Sequence, residues 1–283
     1  RYFGKYQVEG GVRLERVKHK PTENESRNFN LQAVSLGVIR PMGDHWTVSA
    51  QIDHSSRAPV AEELYSNGPH LATSSFEIGD SQLDKEVAFN IAASVEYVNE
   101  GFSFMLSAYR TDFDDFIFEL ATGEERDELP VLQWQQQDAD FQGFEADVNW
   151  QALRWDGGSL AFNAGFDTVR ARLSGTEDDD LPRIPPQRWR VGSVLTWNNF
   201  VAEINFTQVD SQDDVSPNEL PTRGYDNLRA YLGYRAGLGD STIEFFVRGE
   251  NLTDDEQRYH TSFIKDLAPQ PGRTIEGGVT IRI

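Results

Sequence analysis

Apolar side chains recur at every second position through most of this chain. Val87, Phe89, Ile91, Ala93, Val95 and Tyr97 form one row, and Glu86, Ala88, Asn90, Ala92, Ser94 and Glu96 form the other. Trp46, Val48, Ala50 and Ile52 alternate with Thr47, Ser49, Gln51 and Asp53. The same parity runs through Phe102, Phe104, Leu106 and Ala108, through Phe144, Ala146, Val148 and Trp150, and through Phe200, Ala202, Ile204 and Phe206. It closes the chain with Ile275, Gly277, Val279, Ile281 and Ile283. A period of two puts one row on each face of a strand. About twelve such strands are predicted, most of them near the length that crosses a bilayer at a tilt. The one helical turn expected lies near 61–64.

The connections between these segments come in two kinds that strictly alternate. Residues 40–45, 99–101, 152–158, 198–199 and 236–240 are short; 20–28, 55–86, 111–140, 172–187, 208–227 and 251–272 are long. An up-and-down meander with tight turns at one end and long loops at the other generates this order. A sandwich or Greek key has no reason to. Pro182, Pro185 and Pro186 cannot donate to a strand ladder and are expected to end an external loop before the next strand. Gly249 and Asn251 are expected at a tight bend, and Arg248 and Glu250 share a face with Glu244, which makes either a lumenal charge cluster or an ordinary solvated face.

Charge sharpens the picture. The chain has 283 residues with 46 acidic and 26 basic side chains, a formal net charge of -20. The six long connections hold 31 of the acidic side chains and ten of the basic ones, so they carry the whole excess. Such a chain repels phosphate backbones, which argues against nucleic acid as a partner. The absence of Cys excludes disulfides, thiolate metal sites and a thiol nucleophile. No apolar run is long enough for a transmembrane helix, but strands that cross a membrane alternate and keep their mean hydropathy low. Trp46, Tyr97, Phe102, Trp150, Trp155, Trp197, Phe200 and Tyr234 cluster beside the short turns, as the amphipathic rings of an interfacial girdle do. Trp134, Phe141, Trp189 and Tyr225 are expected to form a second belt at the other strand ends. The fold class is therefore all-β: an antiparallel up-and-down transmembrane β-barrel with an apolar outer band and a polar lumen.

Several stretches resemble the TonB-dependent outer-membrane receptors. They are SSRAPVAEELYSNGPH (55–70), FEIGDSQLDKE (76–86), QDADFQGFEADV (137–148), LPRIPPQRW (181–189), NELPTRGYDNLRAYLGY (218–234) and FVRGENLTDDEQRYHTSFIKDLAPQPGR (246–273). They come in the family's order and span most of the chain. NGPH, FEIGD and YHTSFIKDLAPQPGR together are most similar to the zinc-uptake branch. The resemblance implies that residues 1–283 are the C-terminal portion of a larger barrel, with a plug domain not among them. It implies an outer membrane of a Gram-negative bacterium, with lipid and lipopolysaccharide around the barrel. It also implies energy from the TonB system acting through the plug, and capture of a scarce nutrient at external loops. One departure is Ile283, where such barrels end in an aromatic residue and the assembly machinery reads it.

The nutrient expected is a metal ion, zinc or another divalent cation, or a metal complex, bound as cargo rather than as a resident cofactor. Histidine nitrogen and carboxylate oxygen suit such an ion. His70 and His260, each in a long connection, with Asp80 and Asp115 are the candidate ligands. Set against them is the plainer role of surface histidines in ordinary hydrogen bonds. The acidic runs at 112–115, 124–128 and 178–180 raise the local concentration of cations. The same field disfavours an anionic ferric siderophore or haem unless Arg57, Arg126, Arg183 or Arg223 lines its site. No G-x-S-x-G, H-E-x-x-H or phosphate loop is present, so an enzyme is not expected. An autotransporter-type translocator, a passive porin and a soluble β-protein are the rival readings.

Overall fold

A computed structural model of the protein describes residues 2–22, 25–176, 179–239 and 241–282. Asp178 and Ile283, which figure in the sequence patterns, lie outside the described residues. The chain begins with β1 (Tyr2–Phe3), β2 (Tyr6–His19), β3 (Arg27–Met42) and β4 (Trp46–Arg57). A long connection follows, holding α1 (Ala61–Tyr65), β5 (Asn67–His70) and β6 (Ser75–Ile78). Then come β7 (Glu86–Asn99), β8 (Phe102–Arg126), β9 (Leu129–Trp155), β10 (Gly158–Leu173), β11 (Arg188–Trp197), β12 (Phe200–Val209), β13 (Tyr225–Leu238), β14 (Ser241–Glu250) and β15 (Thr274–Arg282).

Apart from the β5–β6 hairpin, each strand pairs antiparallel with its neighbours in sequence, giving the order β1-β2-β3-β4-β7-β8-β9-β10-β11-β12-β13-β14-β15. Twelve of these are long, as the alternation predicts, and β1 adds two residues at one edge. The sheet does not close on itself: its order ends at β1 on one side and β15 on the other.

Register turns the separate apolar rows into one surface. Trp46, Val48, Ala50 and Ile52 lie opposite Tyr97, Val95, Ala93 and Ile91. Tyr97 and Val95 lie opposite Phe104 and Leu106 in turn. Ile204 faces Ser193 on one side and Ala230 on the other. These rows stay uncovered. Val12 is 74% exposed, Leu14 80% and Ile275 67%, so the rows are not a core. Apolar surface left bare in this way belongs against hydrocarbon, where backbone groups must find every partner within the sheet. The expected girdle is present at the short-turn end. Trp46 packs on Tyr97 at 4.7 Å between ring centroids, and Phe200 on Tyr234 at 4.8 Å.

The opposite face is polar and cross-linked. Ser49 and Ser94 hydroxyls lie 2.7 Å apart, Asn90 donates to Asp53 at 2.9 Å, and Thr111 donates to Asn90 at 2.8 Å. The charge cluster expected around Glu244, Arg248 and Glu250 is there: Arg235 and Tyr231 donate to Glu244, and Arg248 donates to Glu276.

The true core caps the long-loop end. Leu64, Leu83, Phe29, Leu31, Ala58 and Ile117 form one buried cluster, and Phe118, Ala139, Ala171 and Leu181 form another. Here the structure corrects two expectations. Residues 111–140 are not a loop. β8 and β9 continue through them as a hairpin, with bulges after Phe113 and Ala121 and a tight turn at Asp127 and Glu128, both of positive φ. The segment's acids and Gly123 read as loop composition, yet its apolar residues are buried against neighbouring loops. Trp134 and Phe141 are likewise packed into the cap and are not part of an interfacial belt. Asn251 does make the expected bend, at φ 48°, and a Cβ at Gly249 would lie 2.7 Å from the Leu252 side chain.

Adjacent positions on β4 test the two faces. In the intact barrel folded into phospholipid vesicles, Ile52→Lys is expected to cost roughly 2–4 kcal/mol, and Gln51→Lys less than about 0.5 kcal/mol. Equilibrium denaturant unfolding of the two variants measures this. Equal losses would mean that the apolar face does not meet lipid.

Candidate functional site

The long-loop end is built on buried carboxylates. Arg57, at the end of β4, donates to Glu63 of α1 at 2.9 Å and to Glu86 at the start of β7 at 3.1 Å. Glu63 also accepts from the Val60 amide at 2.8 Å, closing the first turn of α1. Glu86 accepts from the Ile117 amide at 3.0 Å. These contacts tie the 58–85 connection to three strands. Gly79 completes the packing: a Cβ there would lie 2.6 Å from the Tyr65 amide nitrogen, so no other residue fits without moving α1.

From this platform the β5–β6 hairpin rises. β6 pairs parallel with the outer part of β9, setting Glu77 beside Leu132. His70 Nδ1 lies 2.6 Å from Glu77 Oε1, and Thr73 Oγ1 donates to the same carboxylate at 2.9 Å. His70 is exposed and Glu77 is buried. Glu119, on the extension of β8 beyond the bilayer band, is 1% exposed, and neither of its carboxylate oxygens has a hydrogen-bond partner. Burial, and then repulsion from Glu77, push its carboxyl up to about 7, against the pull of Arg183 and His70. A buried carboxyl in that range holds a proton at mildly acid pH and gives it up to an arriving cation.

Arg183 bridges to a second cluster. It donates through Nη2 to the Glu119 carbonyl at 3.3 Å and through its amide to Glu219 Oε1 at 3.0 Å, and its guanidinium stacks on Phe263 at 4.0 Å. Glu219 Oε1 also accepts from Lys265 Nζ at 2.7 Å and lies 3.2 Å from His260 Nε2. Its Oε2 accepts from the Ser216 hydroxyl at 3.0 Å. His260 Nδ1 pairs with the Thr222 hydroxyl at 2.9 Å. His260, Lys265, Ser216 and Thr222 are all buried. Burial alone would lift the Glu219 carboxyl, but hydrogen bonds from His260 and Lys265 outweigh it and hold it at about 2. The knot joins the 181–187, 210–224 and 251–273 connections.

The four side chains expected to bind metal are thus distributed. His70 pairs with Glu77 and Thr73, and His260 is enclosed in the Glu219 knot. Asp80 caps its own turn, accepting from the Gln82 amide at 2.8 Å. Asp115 sits in the β8 bulge at φ 57°, its amide donating to Asp138. No three His, Asp or Glu side chains among the described residues are arranged as a metal shell. Glu77, Glu119, Glu219 and Lys265 were not singled out by sequence reasoning. For Glu119 a signal exists: it is a lone acid inside the apolar run from Phe116 to Leu120.

Residues 1–252 match the family model described as "TonB dependent receptor-like, beta-barrel". Solved structures share the fold. A copper transporter, OprC, is 20% identical with a TM-score of 0.79, covering 97% of this chain and 45% of that one. The FrpB iron transporter from Neisseria meningitidis is 18% identical with a TM-score of 0.72, covering 98% and 43%. The siderophore receptor PirA from Pseudomonas aeruginosa is 17% identical with a TM-score of 0.56, covering 97% and 49%. The chain therefore spans less than half the length of each.

Lys265→Met leaves Glu219 buried with part of its charge compensation gone. It is expected to cost about 3–5 kcal/mol of local stability, read as faster amide exchange across 251–273. The Glu219 carboxyl lies below its ordinary value of 4.5, so its contribution is complete above that pH and is lost as pH falls toward about 2. Exchange of the same segment should accelerate over that interval. A pH-independent profile would contradict the assignment.

Proposed function

The chain belongs to the TonB-dependent receptor β-barrel family, and on that premise we propose that the intact receptor imports a divalent metal ion or a metal complex across the outer membrane of a Gram-negative bacterium. In this reading further strands complete the barrel at the β1 and β15 edges. A plug domain fills its lumen, and the TonB system supplies the energy. The long connections face the medium, and their excess of carboxylates draws cations toward the cap.

The observation that carries the metal reading is Glu119. A fully buried carboxyl with two unpartnered oxygens is costly, and a cation is the partner that relieves the cost. Glu77 lies close enough to raise its proton affinity, and the exposed His70 pairs with Glu77. Imidazole nitrogen with carboxylate oxygen is a donor set for zinc and similar ions. Asp80 and Asp115 contribute to the field at the same end, and His260, through Glu219, helps hold the Arg183 segment that touches the Glu119 backbone. An anionic siderophore complex fits this acidic mouth less well. Zinc is the ion to test first, on the motif resemblance.

Titration calorimetry of the intact receptor with zinc measures this. His70→Ala and Glu119→Gln are each expected to weaken affinity by roughly tenfold or more. Affinity should rise with pH through about 7, the value to which burial and Glu77 bring Glu119, with release of a proton. In the metal-free protein the fold favours protonated Glu119. Its penalty therefore appears as pH rises from 4.5 toward about 7, and Glu119→Gln should remove that slope. Parallel variants His260→Ala, Asp80→Asn and Asp115→Asn test the wider set. Unchanged affinity in both His70→Ala and Glu119→Gln sinks the proposal, whatever the other three do.

A further inference from the structure

Near the short-turn end the apolar face bears one charged strand residue, Arg40. Across the rows that register aligns, from Val8, Val12 and Leu14 of β2 to Ile275, Val279 and Ile281 of β15, the side chains near the short-turn end are aliphatic, aromatic or small. Arg40 interrupts them. It lies in the row of Val34, Leu36, Val38 and Met42, opposite Val48 on β4. Its guanidinium stands 5.0 Å from the Tyr6 ring centroid, and no carboxylate pairs with it among the described residues. Lys5, in the adjacent β1–β2 turn, has no carboxylate partner there either.

Both side chains line a cleft of about 590 Å³ on this face, walled by Met42, Trp46, Val48 and Val95. No acidic residue lines it. In a chain of net charge -20, two unpaired cations set in an aliphatic and aromatic wall are a selective arrangement. The wall suits acyl chains, and the cations suit a phosphodiester at the depth where headgroups sit. A charge on the lipid face costs most at mid-bilayer and little at the interface, which is where Arg40 stands. Short turns lie on the periplasmic side of such barrels.

From this we infer that Lys5 and Arg40 form a binding site for the phosphate of an anionic glycerophospholipid in the periplasmic leaflet, with its chains laid along Trp46, Val48 and Val95. The inference rests on the bilayer-spanning reading of the sheet and adds a defined lipid partner to it.

The test uses the intact receptor in phosphatidylcholine vesicles doped with spin-labelled phosphatidylglycerol, compared with spin-labelled phosphatidylcholine. Barrel insertion is scored separately for every variant by protease protection. The wild-type protein should hold phosphatidylglycerol in preference. Arg40→Gln and Lys5→Gln should each reduce that preference about fivefold, and the double variant on the order of thirtyfold, the effect of removing one and two cations at a membrane surface. Arg248→Gln, on the polar face, should leave it unchanged. Inserted protein with no preference, or a preference that survives the double variant, overturns the site. So does displacement by inorganic phosphate at concentrations that only screen charge. Failure of insertion overturns the bilayer reading instead, and protease protection tells the two failures apart.

Discussion

A strand in hydrocarbon has nothing but another strand to satisfy its amides and carbonyls. That requirement organises this molecule. It forces neighbours in sequence to be neighbours in the sheet, and it forbids irregular backbone inside the band. It also fixes the parity of every long strand, because a slip of one residue would carry a whole row of Val, Ile and Phe to the wrong face. The aligned rows around Ile52, Ile91 and Ile204 are the visible result. Their exposure is what a conventional core would prohibit.

Beyond the band the constraint lifts, and a different economy takes over. Long connections packed together at the loop end carry most of the acidic residues yet bury a real core. They do so by pairing their charges: Arg57 with Glu63 and Glu86, and Lys265 and His260 with Glu219. Buried pairs of this kind add little net stability against an apolar replacement, but they penalise every arrangement that separates them. They therefore fix the shape of connections that have few strand hydrogen bonds of their own. Arg183 couples the knot to Glu119, so the geometry around the unpartnered carboxyl depends on loops distant in sequence.

Motif residues separate along the same line. Gly79 and Asn251 serve backbone geometry, one by close approach to α1 and the other by a left-handed bend. Glu219, Thr222, His260 and Lys265 serve one another. His70 remains exposed, paired with Glu77 and Thr73. Arg40 and Lys5 are drawn from neither set and face the lipid side instead.

The two-residue period, the alternation of short and long connections and the aromatic turns determined the number of long strands, the parity and the end at which loops gather. These are local properties: each strand must present its own apolar row, so each writes it into its own sequence. Only the tertiary structure decided that 111–140 is an extended hairpin, that Trp134 is packed inside the cap, and that His260 belongs to a buried ionic knot. Those outcomes depend on contacts between segments tens of residues apart. A carboxylate such as Glu119 reads the same in the chain whether water, a lysine or nothing stands beside it, so its neighbours alone decide what it does.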